Sequence, residues 1–151
     1  LSLTESYLAI QKIRFSEKLT YSVNTDGVMT DRIITPKLMI QPLVENAVVH
    51  GLEPQNGSVH IDINLSIDGD RLHVTVSDNG AGMEMIPAFR DPGLLKDTSH
   101  VGLYNIYRRL DLRYKGDFTF NIETESGKGF KVSITIPVEE AENGNTDDGD
   151  N

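Results

Sequence analysis

Apolar residues recur along this chain with two different periods, and the switches between them mark out its elements. Over residues 3 to 17, Leu3, Tyr7, Ile10 and Ile13 fall at helical spacing among Glu5, Gln11, Lys12 and Arg14, which predicts an amphipathic helix. "LTYSV" then alternates Leu19, Tyr21 and Val23, the pattern of a half-buried strand. A second helix is predicted from Thr35-Pro36, an N-cap hydroxyl followed by proline at the first helical position. It should run to about His50 and stop at Gly51, with Pro54 beyond. Ile40, Leu43, Val44, Ala47 and Val48 form its buried stripe, and Pro42 falls in its second turn, where proline costs least. Period two returns in Val59, Ile61, Ile63, Leu65 and Ile67 and, after the turn "DGD", in Leu72, Val74 and Val76. That is a hairpin.

Residues 84 to 101 show no sustained period and contain Pro87, Pro92 and Gly93; a loop that long in a compact domain is usually functional or mobile. "GLYNIYRRLDLRY" restores helical spacing through Leu103, Ile106, Leu110 and Tyr114. Two strands close the pattern, Phe118, Phe120, Ile122 and then Phe130, Val132, Ile134, Ile136, joined by the glycine-bearing "ESGKG". Strands mostly in adjacent antiparallel pairs, with helices between, predict an α+β two-layer sandwich: a mixed, mostly antiparallel sheet covered on one face by helices. No internal repeat is visible.

The chain has 151 residues, enough for one domain with a core that needs no staples. It has no cysteine, which excludes disulfides, thiolate metal sites and thiol nucleophiles. No apolar run approaches the length of a membrane span and no secretory signal opens the sequence, so no membrane contact is expected of this segment itself. Leu1 in place of methionine suggests a piece of a longer protein. The formal charge is −9, but residues 139 to 151, "EEAENGNTDDGDN", hold six of the acids and no lysine or arginine. That tail has little to bury and is expected to be disordered. The remainder carries 14 basic against 17 acidic residues, which gives no electrostatic case for nucleic acid.

Four stretches carry candidate chemistry. In "QPLVENAVVHG", Asn46 and His50 lie four apart on one helix face. They admit two readings: a surface amide with a helix-terminal histidine favoured by the dipole, or a metal ligand in Asn46 with His50 touching a nucleotide or simply closing the helix. An asparagine oxygen is a hard donor of the kind Mg²⁺ accepts, and Glu45 beside it is a candidate base or water organiser. In "VSDNGAGM", Asp78 ends a strand, where its carboxylate can accept from an exocyclic amine, while Gly80 and Gly82 let backbone approach a flat ring. The alternative is a glycine-rich exit turn. In "HVGLYNIYRRL" a helix begins at Gly102, and free amides at such an end favour phosphate oxygens. Arg108 and Arg109 are within sequence reach of phosphates, although solvated helix charges serve as well. "SGKGF" places Gly127 and Gly129 in a strand-to-strand turn, by itself only a hairpin.

In this order, an amide-bearing helix, D-N-G-x-G-M after a strand, a long loop, G-L-x-N opening a helix and G-x-G before the last strand resemble one family. It is the ATP-binding domain shared by sensor histidine kinases, gyrases, chaperones of the ninety-kilodalton heat-shock class and mismatch-repair ATPases. Within it, "QPLVENAVVHG" and "GLYNIYRRL" look like the histidine kinases, and "YLAIQKIRF" like the YesM/LytS-like membrane sensors. The resemblance covers about residues 3 to 138. It implies a Bergerat-type fold, with residues 1 to 17 continuing an upstream dimerisation helix and residues 18 to 138 forming the catalytic domain.

The resemblance implies that Asp78 binds the adenine amine and that Gly80, Gly82 and Met83 frame the base. Asn46 would coordinate Mg²⁺ on the phosphates, with His50, Arg108 and Arg109 among the nucleotide contacts. Residues 84 to 101 would be the ATP lid, with Gly102, Leu103 and Asn105 at its distal hinge; Gly127 and Gly129 would support the nucleotide side of the sheet. The implied partners are a phosphoacceptor helix of the same dimeric kinase and a response regulator's receiver domain. The implied setting is the cytoplasmic side of a membrane sensor.

Three positions depart from the family pattern. His100 replaces a glycine two residues before Gly102. Val49 replaces the lysine common before the histidine of the asparagine-bearing helix, so that phosphate contact is either missing or supplied by Lys96, Arg108 or Arg109. Pro42 stands where some members carry a carboxylate, which argues against the rival reading of a gyrase-type or mismatch-repair ATP hydrolase. A non-catalytic nucleotide-binding interaction domain is the other rival. None of His50, His60, His73 and His100 lies in a phosphoacceptor helix, so the acceptor histidine is expected outside this chain.

Overall fold

The computed structural model describes residues 2–28, 39–52 and 57–139. Five strands form one sheet in the order β1-β2-β3-β5-β4: β1 (Leu19–Asn24), β2 (Val59–Asp68), β3 (Arg71–Asp78), β4 (Thr119–Thr124) and β5 (Phe130–Pro137). The β1 and β2 pair is parallel and the other three are antiparallel. The α-helices are α1 (Ser2–Phe15), α2 (Ile40–Leu52), the short α3 (Pro87–Arg90) and α4 (Val101–Tyr114), with 3₁₀ turns at Ser16–Lys18 and Pro92–Asp97. The expected α+β sandwich is what the chain builds.

Alternation decides which strand residues meet the helices. Val59, Ile61, Ile63 and Leu65 of β2, Leu72, Val74 and Val76 of β3, and Phe130, Val132, Ile134 and Ile136 of β5 are all buried. They meet Leu43, Val44, Ala47 and Val48 of α2 and Leu103, Ile106 and Leu110 of α4 in a single core. Ile67 continues the β2 row in sequence but is exposed beyond the cover of the helices. The other sheet face is polar: Thr20 Oγ1 meets His60 Nδ1 at 2.7 Å, His73 Nδ1 meets Thr135 Oγ1 at 2.9 Å, and Ser22 donates to Asp62. These are cross-strand pairs of a solvated face. Gly69, at φ 60°, is the first residue of the two-residue loop between Asp68 and Arg71, as a type II′ hairpin requires.

Four expectations change, apart from those that fall outside the described residues. The predicted start at Thr35-Pro36 lies outside the described residues, as do Pro54 and residues 140 to 151 of the acidic tail. The described helix begins at Ile40, so Pro42 sits in its first turn, where no intrahelical partner awaits its missing N–H. Gly51 does not stop α2 but lies within it; a Cβ there would sit 2.8 Å from Val59 Cγ2, so the position demands a small residue for packing. Lastly, residues 84 to 101 are ordered by two short helical turns, α3 and a 3₁₀ segment from Pro92 to Asp97, pinned by buried Ala88, Phe89 and Leu95. The apolar spacing of α1 also resolves differently from a simple core stripe. Thr4 and Leu8 are buried with Tyr7 and Phe15 half-buried beside them, whereas Leu3, Ile10 and Ile13 are 69%, 63% and 83% exposed.

Candidate nucleotide site

Asp78 is the fourth member of a row whose first three are Leu72, Val74 and Val76. Period two therefore carries its carboxylate onto the helix-covered face, at the end of the sheet, where it is 8% exposed. The Gly80 amide donates to Asp78 Oδ1 at 2.9 Å. Burial pushes the carboxyl pKa above its ordinary value; the Gly80 amide, His50 and the Phe130 amide pull the other way. A buried acid with spare acceptor capacity at a cavity floor is suited to an amine donor.

That cavity is lined by Asn46 and His50 of α2, Asp78, Gly82, Met83, His100 and Phe130. The amphipathic turn of α2 makes this possible: its apolar stripe packs on the sheet while Asn46, half-buried, and His50 emerge one turn apart toward the strand end. The lid closes the other side. Phe89 lies edge-on to Phe130, with ring centroids 5.5 Å apart, and to His100 at 5.2 Å; His100 and His50 are 5.8 Å apart. The enclosed volume is about 80 Å³, against roughly 300–1,000 Å³ for small-molecule sites. With Phe89 and His100 in this position the cavity is too small for a nucleotide. A larger groove of about 370 Å³ runs beside the β4–β5 hairpin, where Lys128 pairs with Glu125 at 2.9 Å and Lys131 with Glu123 at 3.6 Å.

The glycines act mainly between backbones. A Cβ on Gly80 would lie 2.7 Å from the Gly51 Cα, and one on Gly82 would overlap the Glu125 carbonyl oxygen. One on Gly129, at φ 89°, would overlap the Asp78 carbonyl oxygen. The Gly127 amide donates to the Ala81 carbonyl at 2.6 Å. Gly80 thus sets α2 against the strand end, and Gly82, Gly127 and Gly129 lock that loop to the β4–β5 hairpin. Thr124, which the sequence reading missed, joins the same lock: its hydroxyl accepts from the Met83 amide at 3.1 Å and donates to the Gly129 carbonyl at 2.8 Å. Its signal was a polar residue in phase with Phe120 and Ile122. Phe130 was missed as a cavity-lining residue because it reads as ordinary core, and Phe89 beside it because its segment shows no period.

Other expected residues fall outside the cavity wall. Glu45 accepts from Gln41 Nε2 at 3.0 Å and lies near Tyr7 of α1, where burial first and Glu45 second raise the phenol pKa. It lies on the α1 side and does not line the cavity. Leu103 is buried in the core, so its contribution to a hinge is packing. Gly102, Asn105, Arg108 and Arg109 are exposed on α4, and a Cβ on Gly102 would meet open space. Lys96, also exposed, does not line the cavity.

The donor set can be tested against the groups the resemblance implies. Asn46 offers an amide oxygen from the cavity wall, a donor Mg²⁺ accepts. No cluster of three or more His, Cys, Asp or Glu residues able to hold a metal occurs among the described residues. A divalent ion would thus take Asn46 together with oxygens from water and a nucleotide, which is how Mg²⁺ is commonly held.

Residues 31–140 match the family described as histidine kinase-, DNA gyrase B- and HSP90-like ATPases, and the chain belongs to it. It is similar to the sensor histidine kinase YesM of Bacillus subtilis, 35% identical over 133 residues, 87% of this chain and 22% of that protein. It is 36% identical to the sensor histidine kinase YpdA of Escherichia coli over 115 residues, 73% of this chain and 19% of that one. The chain thus spans about a fifth of the length of these relatives. Among solved structures, full-length ShkA in complex with AMPPNP superposes with a TM-score of 0.65 at 20% identity, covering 93% of this chain and 30% of that one. The relatives are sensor histidine kinases, and the gyrase-type alternative is not favoured.

Proposed function

We propose that this chain is the part of a sensor histidine kinase that binds Mg·ATP and presents its γ-phosphoryl group to a histidine on another segment. The observation that carries the reading is Asp78, a carboxylate buried at the floor of a cavity whose wall holds Asn46 and whose cover is a folded lid. Asp78 accepts from the adenine amine. Asn46 offers its oxygen to Mg²⁺, which when bound neutralises phosphate charge. Phe89, Phe130 and Met83 shield the base from water, and the lid moves out to admit nucleotide and back to exclude solvent. In phosphoryl transfer of this kind the protein positions and neutralises charge.

The exposed Leu3, Ile10 and Ile13 of α1 support a helix that continues into a dimer-forming segment. Exposed apolar residues at seven- and three-residue spacing fit a helical seam. The reading extends to a dimeric membrane sensor whose phosphoryl group passes on to a response regulator. No described helix is long and apolar enough to cross a membrane, so an anchor would belong to other segments. Calorimetric titration with a nonhydrolysable ATP analogue, with and without Mg²⁺, tests the site. Transfer of labelled phosphate to a separate polypeptide carrying the acceptor helices tests the activity. Absence of binding in the first experiment refutes the site; binding without transfer identifies a non-catalytic domain.

A further inference from the structure

His100 stands where two independent features meet. Its ring is 9% exposed and lines the cavity beside Asn46, His50 and Asp78, and its Nδ1 is buried without a hydrogen-bond partner. Its backbone opens α4: the His100 carbonyl accepts from the Tyr104 amide at 3.1 Å, so the amides of Val101, Gly102 and Leu103 have no intrahelical partner. They carry the positive end of the helix dipole. The neighbouring rings of Phe89 and His50 leave the Nδ1 unsatisfied, and an unmet buried polar atom is costly.

We propose that the His100 side chain is a phosphate-binding group of the nucleotide site. Its imidazole and the first-turn amides of α4 together hold an oxygen of the polyphosphate while Asp78 holds the base. The inference rests on the adenine-nucleotide reading above. Phosphate is favoured over base because of the donors available at this end: the orphan His100 ring nitrogen and the His50 imidazole line the cavity, and the first-turn amides of α4 follow His100 directly in the chain. Asp78, an acceptor, occupies the base end. His50 acts on both groups, drawing the Asp78 pKa down and adding to the burial that lowers that of His100, as a residue between the two ends would. His50 from α2 and Asp78 from β3 are the titratable groups sharing this cavity wall, and α3 contributes the Phe89 ring. A neutral imidazole N–H donates to a phosphate oxygen, so the contact needs no protonated ring.

The assignment also accounts for two sequence departures together. Val49 stands in place of the lysine expected to reach phosphate, and the suggested substitutes Lys96, Arg108 and Arg109 lie outside the cavity wall. His100, in place of a glycine, supplies a side-chain donor at the lid end instead.

Calorimetric titration of the full chain with Mg·AMPPNP and with adenosine, for wild type, His100→Ala, His100→Asn and Asp78→Asn, tests this. His100→Ala is expected to weaken AMPPNP about tenfold and leave adenosine unchanged. His100→Asn, which returns an N–H near the Nδ1 position, should recover most of the loss. If thermal melts show that His100→Ala does not fold, His100→Phe, which fills the space without a donor, takes its place. Equal losses for both ligands, unchanged AMPPNP binding, or tighter binding by the alanine variant overturn the proposal. If Asp78→Asn loses binding while His100→Ala keeps it, this inference alone falls. If wild type binds neither ligand, or Asp78→Asn binds as wild type does, the nucleotide reading falls and this one with it.

Discussion

Replacing Asp78 with asparagine separates what the carboxylate costs from what it does. Its pKa is raised above 3.8 by burial, so the ionised form opposes folding. Below pH 3.8 the group is protonated in folded and unfolded chains alike and carries no penalty. As pH rises from there to the raised folded value, the unfolded chain loses its proton first and stability falls; above that value the penalty is complete. Asparagine is free of it at every pH. Against this, asparagine has one acceptor oxygen in place of two to serve the Gly80 and Phe130 amides, and a lost hydrogen bond is worth about 1 kcal/mol. The terms oppose each other, so stability at neutral pH should change by no more than about 1–2 kcal/mol. For a chain of this size that is a few degrees in Tm, at roughly 2–4 °C per kcal/mol. Binding should respond very differently. A hydrogen bond to a charged partner contributes about 1.5–3 kcal/mol, which converts to about a 10- to 150-fold rise in Kd, enough to remove measurable binding if the wild type is only micromolar. Calorimetry with Mg·AMPPNP, paired with thermal melts, reads both quantities. An unaltered titration refutes the adenine assignment, and a Tm fall beyond about 10 °C would make Asp78 a structural residue.

Asn46→Asp should weaken binding measured with Mg²⁺ more than binding measured in EDTA; an equal loss in both removes Asn46 from the metal's surroundings. Gly129→Ala, which drives a methyl into the Asp78 carbonyl at φ 89°, should cost at least about 2–3 kcal/mol in chemical denaturation. Gly102→Ala, helical and facing open space, should gain about 0.5–1 kcal/mol in the same assay. Burial, then His50, lowers the His100 pKa below 6.5. The unfolded chain therefore takes up its proton first as pH falls through the window beneath 6.5, and stability is lost there. Melts at pH 7, 6 and 5 should show a smaller decline for His100→Gln than for wild type.

The strands were legible because alternation is a local property: Val59 to Leu65 and Phe130 to Ile136 state their own inward face. The burial of Asp78 follows from the same property, a polar residue held in phase with a buried row, and Thr124 carried the same mark unnoticed. The helical turns within residues 84 to 101 were not legible, because four-residue α3 and the 3₁₀ turn after it are too short to set up a period; they are held by tertiary burial of Phe89 and Leu95. The orientation of Glu45 was equally hidden. It adjoins Asn46 in sequence, but one residue turns a helix by about 100°, and what lies on that side is α1, which spacing alone cannot locate. For α1 the spacing gave the helix and not the side that docks: Leu8 and Thr4 pack inward while Ile10 and Ile13 do not.

Gly51 and Gly80 bring α2 and the loop after β3 into bare main-chain contact, with no side chain to act as a cushion. The separation between the Asn46 end and the Asp78 end of the cavity is consequently a fixed gauge, set by two peptide backbones and insensitive to most substitutions elsewhere. Discrimination among ligands of different length then falls to the opposite wall, the one bearing Phe89 and His100.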